Sequence, residues 1–184
     1  MVQYFINSYK KNHPHATKVQ ENLIELGIDK KDITIIDGYN IVDIGMNPTK
    51  VCFHNFFDKI LPFVKEDVYY LEDDVKIYEN PEYFPKYHMV HWLGFSKILS
   101  DYIVGSHLVY LSKEMVDELK KNQSKYIPQH LDRFFRTIGL QYGMEIQKSI
   151  TKEIPHYSHN IGKIRISFFN QIYFYNFLYS LLGW

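Results

Sequence analysis

Val68-Tyr69-Tyr70-Leu71-Glu72-Asp73-Asp74-Val75 is the stretch on which the reading of this chain turns. Four β-prone, mostly apolar residues run straight into three consecutive carboxylates. That pattern predicts a buried strand that delivers acids at its carboxyl end. In open α/β sheets, ligands bind just beyond the carboxyl ends of the strands. Three adjacent carboxylates repel one another, and a hard divalent cation relieves that repulsion. Mn²⁺ or Mg²⁺ takes oxygen ligands and brings phosphate oxygens with it. The alternative for the same residues is a solvated strand end entering a turn. The apolar strand before the triplet, the Val75 to Ile77 continuation and the turn at Asn80-Pro81 favour the ligand-bearing reading.

Upstream, Val2 to Ile6 is an apolar-rich run without clean alternation, which predicts a first strand that is central and parallel. Asn7-Ser8 follows at its carboxyl end. The segment Tyr9 to His15 then offers Lys10, Lys11, His13 and His15, closed by Pro14. It reads either as a basic loop for a diphosphate or as an ordinary polar connection. Val19, Leu23 and Leu26 are spaced for one face of a helix over Ala16 to Leu26, with Gly27 as its cap. Ile33 to Ile36 predicts a second strand ending in Asp37-Gly38. Asp37 is placed to meet a ribose hydroxyl or base edge, or to make only a turn. Strand, helix and strand in succession predict a right-handed parallel unit.

Asn40 to Pro48 is loop-like, and Thr49 is positioned to cap the next helix. Phe53, Phe56, Phe57 and Ile60 form its core stripe. Cys52 belongs to the same apolar pattern as a small core residue, His54 lies off the stripe, and Pro62 ends the helix. Beyond the acidic stretch, Asn80 to Tyr87 is turn-rich. His88 to Phe95 alternates loosely, and Ile103 to Leu111 predicts a strand interrupted by Gly105-Ser106-His107. A glycine in mid-strand marks a bulge or a close backbone approach. Ser112 caps a helix through Lys121. A further helix from about Gln129 to Ile138 buries Leu131, Phe134, Phe135 and Ile138, with Gly139 as its stop. Asp132 falls in its first turn, where the positive helix end favours the carboxylate, or where it pairs with Arg136 one turn on. His156 and His159 enter late in the chain as candidate metal ligands or as structural histidines.

The totals bound the answer. A length of 184 residues suits one domain with a real core. Lys+Arg and Asp+Glu both number 21, so no general electrostatic attraction to nucleic acid or to an anionic membrane is expected. Cys52 is the single cysteine, which excludes an intrachain disulfide. Aromatics make up 17% of the chain, reflecting either an aromatic-lined cleft or an AT-rich coding genome. From Ile166 to Trp184 no residue is charged and eight are aromatic. Asn170, Gln171, Asn176 and Ser180 make this tail too polar for a spanning helix. It suits a membrane interface, a homodimer contact or packing on its own domain. The organisation expected is a domain over 1–160 followed by an aromatic-rich segment over 161–184. The start of the chain lacks the basic residues and long apolar run of a signal peptide, so a cytoplasmic location is expected, peripheral to a membrane if the tail docks there.

Four stretches together resemble glycosyltransferase family 25, the lipooligosaccharide and procollagen galactosyltransferase type. They are Tyr4-Phe5-Ile6-Asn7, Ile36-Asp37-Gly38, Leu71-Glu72-Asp73-Asp74-Val75 and Gly105-Ser106-His107-Leu108-Val109-Tyr110-Leu111-Ser112. The segment Pro128 to Phe135 with Asp132 is similar to a further stretch of that family. The resemblance covers roughly residues 2 to 140 and implies a single GT-A-like α/β/α sandwich with a mostly parallel central sheet. It implies transfer of a hexose, galactose or glucose first, from a nucleotide sugar such as a UDP-hexose to a glycan or glycoprotein acceptor, with inversion.

Carried onto this chain, the resemblance makes Glu72 and Asp74 metal ligands, with His156 as an added candidate. Asp73, Asn7, Lys10, Asp37, Gly105 and His107 would border the sugar nucleotide. Asp132 would be the general base, although its place at a helix start lowers its basicity. Where that family carries arginines after Ile-Asn, this chain has Lys10 and Lys11, which are point charges rather than bidentate forks. Two other readings compete. One is a metal-dependent phosphohydrolase, which lacks a second well-placed carboxylate pair. The other is a non-catalytic glycosyltransferase-like binding module acting through its aromatic tail.

Overall fold

The first strand, β1 (Val2–Asn7), is buried over its last four residues rather than on alternate ones. That is the signature of a strand covered on both faces. It pairs in parallel with β2 (Ile33–Ile35) on one side and with β3 (Asp67–Glu72) on the other. Next to β3 runs β6 (Leu108–Leu111), antiparallel, and then β5 (Met89–Trp92), antiparallel to β6. The edge strand β7 (Glu145–Gln147) is parallel to β5. The sheet order is therefore β2-β1-β3-β6-β5-β7, and its pairings are mostly parallel. The computed structural model describes residues 2–39, 48–81, 88–92, 108–147 and 151–153, all within the unit Met1–Ile154.

The period-2 geometry of the strands sends alternate side chains into two cores. On one face Tyr4, Ile6, Tyr69 and Leu71 pack against Ala16, Val19 and Leu23 of α1 (Pro14–Glu25). On the other, Phe5, Val68, Tyr70 and Val109 meet the helical segments after β2 and after β6. These are α2 (Pro48–His54) with its continuation to Phe63, α3 (Lys113–Lys121) and α4 (Leu131–Tyr142). The second core is aromatic. Phe56 meets Tyr70 at 5.8 Å and 82°, and Phe135 at 5.0 Å and 80°. Edge-to-face pairs of this kind contribute about 0.5–1.5 kcal/mol each beyond their buried area.

Helix boundaries moved for identifiable reasons. Helix α1 begins at Pro14 rather than Ala16, because a proline at the first helical position loses no needed N–H. It ends as expected at Gly27, whose φ of +90° lets its N–H reach the Ile24 carbonyl at 2.9 Å. The Ile28 N–H meets the Leu23 carbonyl at 3.0 Å, completing a Schellman motif. Helix α2 starts at Pro48, so Thr49 lies inside its first turn and not at the cap. Its expected regular stripe also gives way, since Asn55–Ile60 is a π-helix, with the Leu61 N–H bonded back to the Phe56 carbonyl. Pro62 then sits in a closing 3₁₀ turn, Leu61–Phe63.

Ser112 caps α3 as expected, its Oγ accepting from the Met115 N–H at 3.3 Å. Gly139 does not stop α4, which runs on to Tyr142 and ends at Gly143 with φ of +91°. Gly139 is there for packing. A Cβ on it would lie 2.7 Å from Met144 Sδ.

The acidic stretch behaves as read up to Glu72, but the chain then turns at Asp73-Asp74. Residues Val75 to Ile77 do not prolong β3. They form β4 (Val75–Ile77), which joins β8 (Thr151–Glu153) in a separate antiparallel pair. Within the loosely alternating His88 to Phe95, Met89–Trp92 forms β5, and within the strand expected over Ile103 to Leu111, Leu108–Leu111 forms β6. Residues 40–47, 82–87, 93–107, 148–150 and everything from 154 onward lie outside the described residues.

Candidate functional site

Because β1, β2 and β3 are parallel, their carboxyl ends emerge side by side. The register sets Asn7 opposite Glu72. The residues just after β1 and β3 also meet. Ser8 Oγ donates to Asp73 Oδ2 at 2.7 Å, and His13 Nδ1 lies 3.6 Å from the same oxygen. Ser8 Oγ also reaches the Lys10 carbonyl at 3.1 Å, and the His13 N–H closes on that carbonyl at 3.0 Å. The loop after β1 is thereby folded over Asp73. Among the described residues, His13 Nδ1 has no hydrogen-bond partner although the residue is only 9% exposed.

Glu72 belongs to the other face of the sheet, with Asn7 and Tyr70. Asn7 is 6% exposed, and its Nδ2 donates to the Tyr70 hydroxyl at 2.7 Å. The Asn7 side chain also acts on the Cys52 thiol of α2, opposing the rise in its pKa. Burial pushes that thiol up to about 12, and the Glu72 and Asp132 carboxylates add to the shift. Burial likewise holds the Tyr70 hydroxyl well above its ordinary value, aided by Cys52, Glu72 and Asp132. Two neutral groups that keep their protons therefore sit within the field of Glu72 and Asp132. Asp132 itself is half-buried in the first turn of α4.

The third strand end is fixed by a glycine. The Gly38 N–H donates to the Ser8 carbonyl at 2.9 Å. A Cβ on Gly38 would stand 2.5 Å from that carbonyl oxygen and 2.6 Å from Asn55 Nδ2, so only glycine fits. Next door, Asp37 is exposed, and its Oδ1 accepts from the Lys11 N–H at 3.2 Å. Asp37 also borders a cavity of about 520 Å³ shared with Phe5, Ile36, Lys59, Phe63 and Lys65.

Of the residues singled out in the sequence, Asn7, Asp37, Glu72 and Asp73 lie at these strand ends, and Asp132 acts electrostatically on the neighbouring Cys52 and Tyr70. Asp74 lies just behind, at 8% exposure. Lys10 is exposed and takes part through its backbone carbonyl. Gly105, His107, His156 and His159 lie outside the described residues. Off the stripe as read, His54 has its Nδ1 3.5 Å from Asp58 Oδ2.

Sequence reasoning missed Tyr70, Cys52, Ser8 and Asn55 as site residues. Tyr70 was open to detection, because it precedes Glu72 by two positions and so shares its face. Asn55 gave no such signal, since a π-helix decides which way it points, and Cys52 read as a small core residue of the helix before it.

The fit of a divalent cation follows from the donor set. Among the described residues no group of three His, Cys, Asp or Glu side chains gathers around one point. An all-protein cage therefore does not fit there. A Mg²⁺-type site does fit, because such an ion is held by one or two carboxylates and completed by phosphate oxygens and waters. Asp73, half-buried under the loop after β1, is a carboxylate that such an ion would use there.

No protein-family model matches the chain, and no curated protein matches it in sequence. Similarity to solved structures does exist. A glycosyltransferase involved in the glycosylation of the major capsid of PBCV-1 aligns with a TM-score of 0.56 and 9% identity, over 84% of this chain and 94% of that one. The apo-form glycosyltransferase GlyE of Streptococcus pneumoniae TIGR4 aligns with a TM-score of 0.39 and 12% identity, over 78% of this chain and 45% of that one. The first of these likenesses is one of fold. The architecture is the GT-A-like α/β sandwich expected from the sequence. Among the described residues no helix is long and apolar enough to cross a membrane.

Proposed function

We propose that this chain is a glycosyltransferase that moves a hexose from a nucleotide sugar, a UDP-hexose first, to a glycan or glycoprotein hydroxyl. The observation that carries the reading is the meeting of three parallel strand ends. Asn7-Ser8, Asp37 and Glu72-Asp73 are gathered where α/β sheets bind ligands, with the Ser8 to Asp73 bond at 2.7 Å as the tie. The sandwich shared with a glycosyltransferase of known structure is the second support. The motif order resembling family 25 is the third.

On this reading Asp37 and the loop after β1 hold the nucleoside and its phosphates. Lys10 and Lys11 supply positive charge near the diphosphate. Asp73 would hold a Mn²⁺ or Mg²⁺ ion beside the donor's phosphates, and that ion would neutralise charge on the departing diphosphate, while Glu72 lies on the acceptor side. Asp132 takes the proton from the acceptor hydroxyl as that oxygen attacks the anomeric carbon from the face opposite the leaving group. The neutral Tyr70 hydroxyl and Cys52 thiol beside Glu72 and Asp132 add no negative charge to a site already rich in carboxylates.

Thermal unfolding with a panel of nucleotide sugars, with and without Mn²⁺, tests the proposal. A ligand that binds only the folded chain raises its unfolding temperature. The expected outcome is a Mn²⁺-dependent rise with one UDP-hexose. No rise with any sugar nucleotide sinks the reading, and hydrolysis of a phosphate ester without sugar transfer replaces it with a phosphohydrolase.

A further inference from the structure

The π-helix after α2 is unexplained by the reaction. A π-helical turn is rare and forms only where something compensates its poorer geometry, frequently at a functional site. Here it spans Asn55–Ile60 and buries Asn55, Phe56 and Phe57 in succession. In a regular α-helix three consecutive side chains fan over about 200°, and the wider π turn narrows that fan and brings Asn55 in beside the aromatic stripe. Asn55 is polar and 3% exposed, so its burial must be compensated by hydrogen bonding. Its Oδ1 accepts from the Tyr39 N–H at 2.7 Å. Its Nδ2 lies against Gly38, in the space a Cβ would need. Gly38 in turn donates to the Ser8 carbonyl. The Asn55 amide thus clasps the two residues that follow Asp37, and Gly38 ties them to the end of β1.

We propose that Asn55 is a positioning residue that sets Asp37 for a ribose hydroxyl of the nucleotide, so that the π-helix tunes recognition of the ribose. This rests on the glycosyltransferase reading given above. The physical basis is leverage. Asp37 is exposed, and its carboxylate accepts from the Lys11 N–H at 3.2 Å. Its direction is therefore set by the backbone that follows, and that backbone is held by Asn55. Discrimination between a ribose and a deoxyribose is steep only when the accepting carboxylate is preorganised, since a misplaced one gains little from the hydroxyl.

The experiment measures calorimetric affinity for UDP and for 2′-deoxy-UDP and 3′-deoxy-UDP, with Mn²⁺. It compares the wild type with Asn55→Ala, Gly38→Ala and Asp37→Ala, and follows backbone amide exchange at Gly38 and Tyr39. The wild type is expected to prefer UDP to one deoxy analogue by about tenfold or more, as one hydrogen bond to a charged group allows. Asp37→Ala removes that preference. Asn55→Ala and Gly38→Ala are expected to shrink it to about threefold or less while amide exchange at Tyr39 speeds up. Gly38→Ala strikes the same junction from the opposite side, so it keeps the test decisive if Asn55→Ala folds poorly. A wild type that prefers UDP, with the preference unchanged in folded Asn55→Ala or Gly38→Ala, overturns the positioning role and leaves the transferase reading standing. A wild type that binds UDP no better than either deoxy analogue overturns the role of Asp37 and Asn55 alone. A wild type that binds no nucleotide overturns both.

Discussion

The two acids at the end of β3 are neighbours in sequence and live in different surroundings. Asp73 sits under the loop after β1, bonded by the Ser8 hydroxyl with the His13 imidazole close by. Glu72 lies on the opposite face, beside the buried Asn7–Tyr70 pair, Cys52 and the aromatic core, within the field of Asp132. One residue step along a strand reverses the side chain, so it also exchanges a polar loop for a low-dielectric wall. A charge is felt further and more strongly on the second side, because less water screens it. The division suits a reaction in which one acid manages the donor's phosphates and the other faces the acceptor and its base.

The sharpest way to break this contrast is to neutralise each acid in turn. Asp73→Asn is expected to weaken nucleotide binding first. Glu72→Gln is expected to lower the turnover of bound donor, by about a hundredfold or more, with nucleotide affinity better preserved. Binding and single-turnover assays on both variants measure the split, and identical profiles would erase the distinction between the faces.

A smaller effect separates the supporting hydroxyls. Tyr70→Phe strands the buried Asn7 amide and is expected to cost about 1–3 kcal/mol of stability in urea unfolding. Ser8→Ala leaves Asp73 at a turn that water can reach, and is expected to cost about 1 kcal/mol or less. A larger loss from Ser8→Ala than from Tyr70→Phe would reverse the assignment of buried and wet sides.

The smallest effect is on the pH dependence of stability. The folded Cys52 thiol holds its proton up to about 12, whereas in the unfolded chain it ionises from about 8.5 upward. Its folded pKa is raised, so between those values the folded state binds more protons and stability falls as pH rises. Tyr4 acts in the same direction from about 10, because burial and then Asp32 raise it to about 12. Stability is therefore expected to decline from about pH 8.5. In Cys52→Ala the decline starts near pH 10 instead, and urea unfolding across that range measures the difference. A wild-type curve flat from pH 8.5 to 10 would place Cys52 outside the buried side.

Much of this was legible in the residues. The unalternating run Val2 to Ile6 marked a strand covered on both faces, and β1 is one, held between β2 and β3. Gly27 announced the end of α1, because the cap needs a positive φ. The acids were placed at a strand end, where they are. The reading failed where local pattern and tertiary demand parted. Gly139 looked like a helix stop, yet it is a contact point for Met144 inside α4. Val75 to Ile77 looked like more of β3, yet a turn at Asp73-Asp74 delivers it to a partner far along the chain.

What the sequence determined by itself was the strands β1, β2, β3 and β6, the four main helices and the presence of acids at the end of β3. Hydrophobic period and turn residues act over a few positions and need no partner to be read. Only the tertiary structure decided that Asn7 and Tyr70 bond to each other beside Glu72 and that Ser8 and His13 attend Asp73. It alone turned Asn55 inward to hold the residues after Asp37. Those relations depend on register, on which face a side chain takes and on one π-helical turn. They arise from packing between segments distant along the chain, which no local period encodes.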